Sequence, residues 1–275
     1  MQVASQVLSA LNCCIDMDLY SFYNNGMNEV DEILKFITDA QYLTVFTGAG
    51  VSTLSGLRDF RGKDGLYREV DANKIFDLPY FLEDPGFYYS HTLDLIYDTQ
   101  QIRPSLVHTV LARLQRRGYV KRVITQNIDL LHQKGGSTDV LEIHGSPRTH
   151  HCLSCGRVYL YDEIVPIVRF GQVPFCEVCD GLIKPDITFF GESLPQKALQ
   201  EAYAESSKSD CMLILGSTLL VSPASSLPLR TLQNGGKIII ANRGETPLDS
   251  YASLRYDDLF ELFSYLEEAL DSDLL

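Results

Sequence analysis

A doubly wound α/β fold on a parallel sheet, with smaller segments inserted into it, is predicted by three observations. Short, fully apolar runs such as Met212-Leu213-Ile214-Leu215 and Ile238-Ile239-Ile240 alternate with stretches of helical period, the pattern of strands buried on both faces. The first apolar run, Tyr42 to Phe46, passes straight into Thr47-Gly48-Ala49-Gly50. A strand entering a glycine-rich turn is how an α/β protein offers backbone N–H groups to a phosphate. Polar or glycine-rich turns follow the later runs too, so a Rossmann-like crevice at the carboxyl ends of the strands is expected.

Taken in order, Val30, Ile33, Leu34 and Ile37 have helical spacing, which predicts a helix over about 28–40. A strand follows at 42–47. Residues 62–104 carry many aromatics and Pro79, Pro85 and Pro104, which suits a helical insertion rather than regular βα units. Leu106, Val107, Val110, Leu111 and Leu114 predict a helix over 105–117, then a strand over 120–124. A short helix near 130–134 and a strand over 140–143 come next. Residues 150–184 change character, with cysteine pairs, short apolar runs and little helical period. A helix over 196–206 precedes strands at 212–215 and about 236–241, and an amphipathic helix near 257–270 closes the chain. The predicted organisation is an extension over 1–27 and a doubly wound domain over 28–275, carrying the insertion at about 62–104 and a small module, read below as a zinc ribbon, at about 150–184.

The 275 residues carry a net charge of -13, which gives no field for gathering a polyanion, so nucleic acid is not an expected partner. A lysine-rich peptide suits this charge better. No stretch reaches the roughly 18 apolar residues of a membrane helix. The first basic residue is Lys35, so a secretory signal with a basic start is disfavoured, and Met27 offers an alternative start. Seven cysteines, an odd number with four of them in two CxxC pairs, argue for metal over disulfides and for a reducing, cytoplasmic setting.

Cys152-x2-Cys155, twenty intervening residues and Cys176-x2-Cys179 match the spacing of a four-thiolate zinc ribbon. Four thiolates leave no open position for water, so this zinc is expected to be structural. His150 and His151 precede Cys152 and are expected on a loop or rim outside the ligand set.

The glycine turn departs from the common dinucleotide pattern G-x-G-x-x-G, which has an acidic residue about 20 positions later. Gly48 and Gly50 fit, but position 53 is Thr, the next glycine is Gly56, and Asp59-Phe60-Arg61 follows at once. A nucleotide is expected, but not an ordinary hydride-transfer dehydrogenase. Further polar stations are Thr125-Gln126-Asn127-Ile128-Asp129, His144-Gly145-Ser146, Gly216-Ser217-Thr218 and Asn242-Arg243-Gly244. Alone, Asn127 or Asp129 reads as a helix cap, and His91, His108 and His132 read as packing or surface residues. An amide, an acid and an imidazole meeting at one crevice make a plausible reaction centre.

These residues, with the paired CxxC and Phe190-Gly191-Glu192, resemble the sirtuins, NAD-dependent protein lysine deacylases, and most resemble the bacterial deacetylase branch. The resemblance runs from residue 28 to about 270, with the motifs in the family's order. It implies that an acyl-lysine carbonyl oxygen attacks C1′ of the nicotinamide ribose and expels nicotinamide. His144 would act as general base on a ribose hydroxyl, and a cyclic intermediate would collapse to O-acetyl-ADP-ribose and free lysine. Asn127, also catalytic, and Asp129 would hold the ribose and the nicotinamide amide, beside Gln126 and Ile128. Ala49, Thr53, Asp59, Phe60 and Arg61 would belong to the loop over NAD, with Phe60 shielding C1′ from water. Gly216, Ser217, Thr218, Asn242 and Arg243 would hold the phosphate and adenosine end. Val221 and Phe190-Gly191-Glu192 would pair with the extended acetyl-lysine peptide.

The chain departs from the family pattern twice. Arg58 stands where the commonest loop has Pro, which frees φ and adds a charge. Members that remove acidic acyl groups carry a Tyr and an Arg three apart, whereas Tyr88-Tyr89-Ser90-His91-Thr92-Leu93 has no Arg, which favours an uncharged acyl group. A mono-ADP-ribosyltransferase or NAD hydrolase using the same pocket is the alternative. A non-enzymatic NAD-sensing or scaffold protein is a second.

Overall fold

Six parallel strands form the main sheet in the order β3-β2-β1-β7-β8-β9. The computed structural model describes residues 30–59, 72–99, 101–272 and 274–275. The strands are β1 (Leu43–Thr47), β2 (Val120–Thr125), β3 (Val140–Glu142), β7 (Cys211–Leu215), β8 (Lys237–Ala241) and β9 (Leu254–Tyr256). From β1 the chain builds outward to β3 on one side, then returns to build β7, β8 and β9 on the other. The strand order therefore reverses between β1 and β7, where an open α/β sheet binds its ligand.

Alternation along each strand divides the apolar side chains between two faces. Leu43, Val45, Val123, Leu213 and Ile239 pack with helices α1 (30–39), α6 (Leu106–Arg116) and α11 (Leu259–Asp271). Phe46, Ile124, Met212, Ile214 and Ile240 pack on the other face, against α9 (Gln196–Lys208) and α10 (Leu227–Gln233). Because both faces are covered, β7 and the stretch 238–241 of β8 contain no polar side chain, and the only polar residues of β1 are the buried Thr44 and Thr47. This explains why the strands were legible as apolar runs.

The insertion forms short helices: α3 (Ala72–Ile75), α4 (Leu78–Glu83), α5 (Pro85–His91) and a π-helical turn at Leu93–Tyr97. Asp77 and Asp84 cap α4 and α5 by accepting from the N–H of Tyr80 and Phe87, and each helix has Pro in its first turn. Capping and the preset φ of proline let such short helices start sharply.

A second, antiparallel sheet has the order β5-β4-β6, from β4 (Gly145–Cys152), β5 (Val158–Leu160) and β6 (Ile183–Ile187). The expectation of little helical period over 150–184 needs correcting, because α8 spans Tyr161–Arg169. It buries Ile164, Val165 and Val168, and Pro166 inside it hid the pattern. His150 also departs from its expected rim position. It is fully buried, with Nε2 3.0 Å from the Tyr97 hydroxyl. The insertion and the cysteine-bearing segment share one apolar core, which joins Phe76, Phe81 and Tyr88 to Cys152, Cys176, Ile187 and Phe189.

Candidate active site

The turn after β1 lies directly against the turn after β7. Gly48 N–H donates to Leu215 O at 3.0 Å and Gly50 N–H to Gly216 O at 2.9 Å. A Cβ on Gly50 would stand 2.6 Å from Gly216 Cα, and one on Gly216, whose φ is +58°, would stand 2.6 Å from Val51 N. The glycines are thus needed for backbone against backbone, whatever they also allow a phosphate. Gly56, at φ +86° with open space around it, only ends the turn. We expect Gly50→Ala to destabilise the fold by ~1–3 kcal/mol through this overlap. An unchanged urea midpoint would contradict that contact.

A crevice of about 1100 Å³ opens at these strand ends. Of the residues expected to hold a nucleotide, Gly48, Ala49, Gly50, Thr53 and Asp59 line it from the β1 side. Gln126, Asn127, Ile128 and His144 line its floor. Gly216, Ser217, Thr218, Asn242 and Arg243 line the β7–β8 side. Phe60 and Arg61 lie outside the described residues. Arg58 also lines the crevice.

The floor is a hydrogen-bonded set. Asn127 is buried and its amide Nδ2 donates to Gly48 O at 3.1 Å and to Ser52 Oγ at 3.2 Å. Ser52 Oγ donates to Asp129 Oδ2 at 2.6 Å, and Asp129 Oδ1 accepts from Leu131 N–H at 2.9 Å. Asp129 therefore stands behind the wall, bracing the glycine turn and the start of α7 (Leu131–Lys134). Burial pushes its carboxyl up, partly offset by the Ser52 hydroxyl and the Leu131 N–H. Gln126 Nε2 donates to Ser217 Oγ at 2.8 Å and ties the two halves of the crevice together.

His144 occupies the junction where the chain leaves β3 for β4. Its Nδ1 is 2.9 Å from Gln126 O. A carbonyl only accepts, so Nδ1 carries the proton and Nε2 keeps its lone pair. Burial holds the ring below the ordinary imidazole range, and the Gln126 hydrogen bond opposes this in part. A neutral imidazole with an available Nε2 at the floor of a crevice is suited to accept a proton.

On the opposite wall, Phe190, Gly191, Glu192 and Val221 also line the crevice. Phe190 N–H donates to Phe76 O at 2.6 Å and its C=O accepts from Leu78 N–H at 3.1 Å, so its backbone is already used. The Glu192 carboxylate turns inward to Lys184.

Some lining residues went unrecognised. Phe76, Ile187 and Phe189 come from the shared insertion core, which no sequence spacing ties to the sheet. Asp257 to Phe260 line the far end because β9 ends there. At three residues that strand was too short to read, so its carboxyl-end turn was missed.

The four cysteine sulfurs cluster away from the crevice, all within 4.8 Å of one another. Cys152 Sγ is 3.5 Å from Cys179 Sγ, and Cys155 Sγ is 3.6 Å from Cys176 Sγ. Tetrahedral zinc with bonds near 2.3 Å places sulfurs about 3.8 Å apart, so the set fits one structural zinc. The Tyr159 hydroxyl, donating to Cys176 at 3.1 Å, pulls that thiol down to about 6. His151 pairs with Asp186 and stays outside the quartet.

A family model described as the Sir2 family matches residues 48–223. An NAD-dependent protein deacetylase of Thermotoga maritima is 42% identical over 229 residues, covering 83% of this chain and 93% of the relative. One of Oceanobacillus iheyensis is 37% identical, covering 82% and 94%. A solved Sir2 structure with a p53 peptide and NAD⁺ superposes with a TM-score of 0.79 at 39% identity, covering 88% of this chain and 97% of that one. Another, with a deacetylated p53 peptide and 3′-O-acetyl-ADP-ribose, gives 0.82 at 38%, covering 89% and 98%.

Proposed function

The chain belongs to the Sir2 family, and from that premise we propose that it is an NAD-dependent protein-lysine deacetylase. It converts an acetyl-lysine peptide and NAD to free lysine, nicotinamide and O-acetyl-ADP-ribose. The observation that carries this reading is His144, neutral and with Nε2 available, on the same crevice floor as Asn127 and the Gly48–Gly50 turn. NAD supplies the nicotinamide–ribose bond whose cleavage drives the acyl transfer.

The chain's own groups divide the remaining work. His144 Nε2 takes the proton of a ribose hydroxyl as that oxygen becomes a nucleophile. Asn127, its amide held by Gly48 O and Ser52 Oγ, orients the ribose, with Gln126 and Ile128 beside it. Asp129 supports this set through Ser52. Gly216, Ser217, Thr218, Asn242 and Arg243 hold the phosphate and adenosine end. Ala49, Thr53 and Asp59 belong to the loop that covers the ribose and excludes water.

An uncharged acyl group fits best. Tyr88 and Tyr89 are buried, and the Tyr89 hydroxyl is committed to Ile183 O at 2.7 Å, so α5 offers no charged clamp. Residues 28–275 make the catalytic domain, 1–27 an extension, and 62–104 and 150–184 the two insertions. A cytoplasmic setting is supported by the two CxxC pairs, which gather into a metal quartet rather than pairing as disulfides. No helix among the described residues is long and apolar enough to cross a membrane.

Incubation with NAD and an acetyl-lysine peptide is expected to release nicotinamide only when the peptide is present, one equivalent per lysine freed. Nicotinamide release independent of the peptide, without deacetylation, would overturn this reading in favour of an NAD hydrolase or mono-ADP-ribosyltransferase.

A further inference from the structure

Lys184 on β6 is 2% exposed. Its Nζ donates to Glu192 Oε2 at 2.9 Å, to Ile187 O at 2.8 Å and to Pro185 O at 3.2 Å. It also lies 4.2 Å from the centroid of the Phe189 ring. The same Glu192 oxygen accepts from Phe189 N–H at 2.7 Å, and Glu192 N–H returns to Phe189 O at 3.0 Å. Residues 189–192 are thus closed into a loop by their own backbone and a side chain, and the loop is anchored on a buried cation.

A buried ion pair adds little net stability over apolar side chains of the same volume, because desolvation offsets the attraction. Such a pair can instead fix a geometry. Phe190 is already clamped to Phe76 O and Leu78 N–H. Gly191 follows at φ +95°, on the crevice wall, and the nearest atom to a Cβ there would be Pro79 Cδ at 3.9 Å. Its N–H and C=O carry no hydrogen bond to any described residue.

We propose that Lys184 and Glu192 are positioning residues for peptide recognition. Together they hold residues 189–192 so that Gly191 presents its free N–H and C=O to the backbone of the acyl-lysine peptide. The inference rests on the assignment of residues 190–192 to the peptide strip. It gives the Glu192 carboxylate an inward role in place of a substrate contact, and it adds Lys184, which does not touch the crevice.

The test uses Lys184→Met and Glu192→Gln, each assayed with an ordinary acetyl-lysine peptide and with one N-methylated at the backbone amides flanking the acyl-lysine. Both variants are expected to raise the KM for the ordinary peptide by about 10-fold or more, with the KM for NAD within about twofold of wild type. N-methylation is expected to weaken wild type to a similar extent and to add little in the variants. The double variant Lys184→Met/Glu192→Leu removes both charges, so it is expected to regain thermal stability but not peptide affinity. A wild-type enzyme indifferent to N-methylation would overturn the strip assignment and the inference with it. Sensitivity in wild type with ordinary peptide KM in the single variants would overturn the positioning role alone. Recovery of both stability and peptide affinity in the double variant would do the same, reducing the pair to a structural contact.

Discussion

His144→Ala is expected to lower peptide deacetylation by about 10²–10⁴-fold, the range that a positioned general base supplies. NAD affinity should stay within about threefold of wild type, because the contacts proposed for its phosphate and adenosine lie on the Gly216 and Asn242 turns. The contrast follows from geometry. His144 reaches the crevice only through Nε2, its Nδ1 being committed to Gln126 O, and alanine leaves the glycine turn and the Asn127 amide in place. The pH profile supplies a second readout. Burial lowers the folded pKa of His144, so the base remains unprotonated at neutral pH. The rate should fall only as pH drops through a value below the ordinary 6.5. Burial also lowers His108 and His150, each to about 4. Neutral buried histidines add stability above their unfolded pKa and lose it as pH falls, so circular dichroism at each pH must separate loss of the base from loss of fold. Activity of His144→Ala within about threefold of wild type would remove the imidazole from the chemistry.

Much of the sheet was legible because its central strands are buried on both faces and are therefore largely apolar. Cys211–Leu215 and Lys237–Ala241 match the apolar runs within a residue or two. The glycine turn and the polar stations were legible for a related reason. Each follows an apolar run directly, and the reversal between β1 and β7 brings them to one crevice. The small sheet was not legible. Gly145–Cys152 carries Pro147, Arg148 and two histidines, and Ile183–Ile187 carries Lys184 and Pro185, so neither shows alternation. Pro185 is tolerated because β6 is an edge strand. Its buried lysine is stabilised by partners up to eight residues away, which no periodicity reports. Ser52 was missed for the same reason. It is an unremarkable serine in the turn until the fold places its hydroxyl between Asn127 and Asp129.

Cys176→Ser is expected to abolish stoichiometric zinc binding and, with it, both the packing of the small module and deacetylation. The main sheet should remain folded. Two of the four ligands, Cys152 and Cys176, belong to the apolar core that also holds Phe76, Ile187 and Phe189, and those three line the crevice. A structural zinc contributes roughly 10–16 kcal/mol of apparent binding energy, as much as the whole net stability of a typical domain, about 5–15 kcal/mol. The module cannot keep its packing once that contribution is gone. The main sheet has separate cores on its two faces that contain none of the four ligands, so nothing in them depends directly on the metal. Thermal unfolding of the variant, or of the wild type after chelation, should therefore separate into two transitions. The chain has no Trp and 15 Tyr, and Tyr88, Tyr89, Tyr97 and Tyr159 are all in the small core. Of the described tyrosines that are buried, only Tyr256 belongs to a core of the main sheet, so near-ultraviolet tyrosine dichroism reports mainly on the small core, and far-ultraviolet dichroism on the helices and sheet. The expected result is early loss of the tyrosine signal with most far-ultraviolet signal retained. Full zinc content in Cys176→Ser would contradict the four-cysteine site. A single cooperative transition in the metal-free protein would show instead that the module and the sheet fold as one unit, with the crevice between them part of that unit.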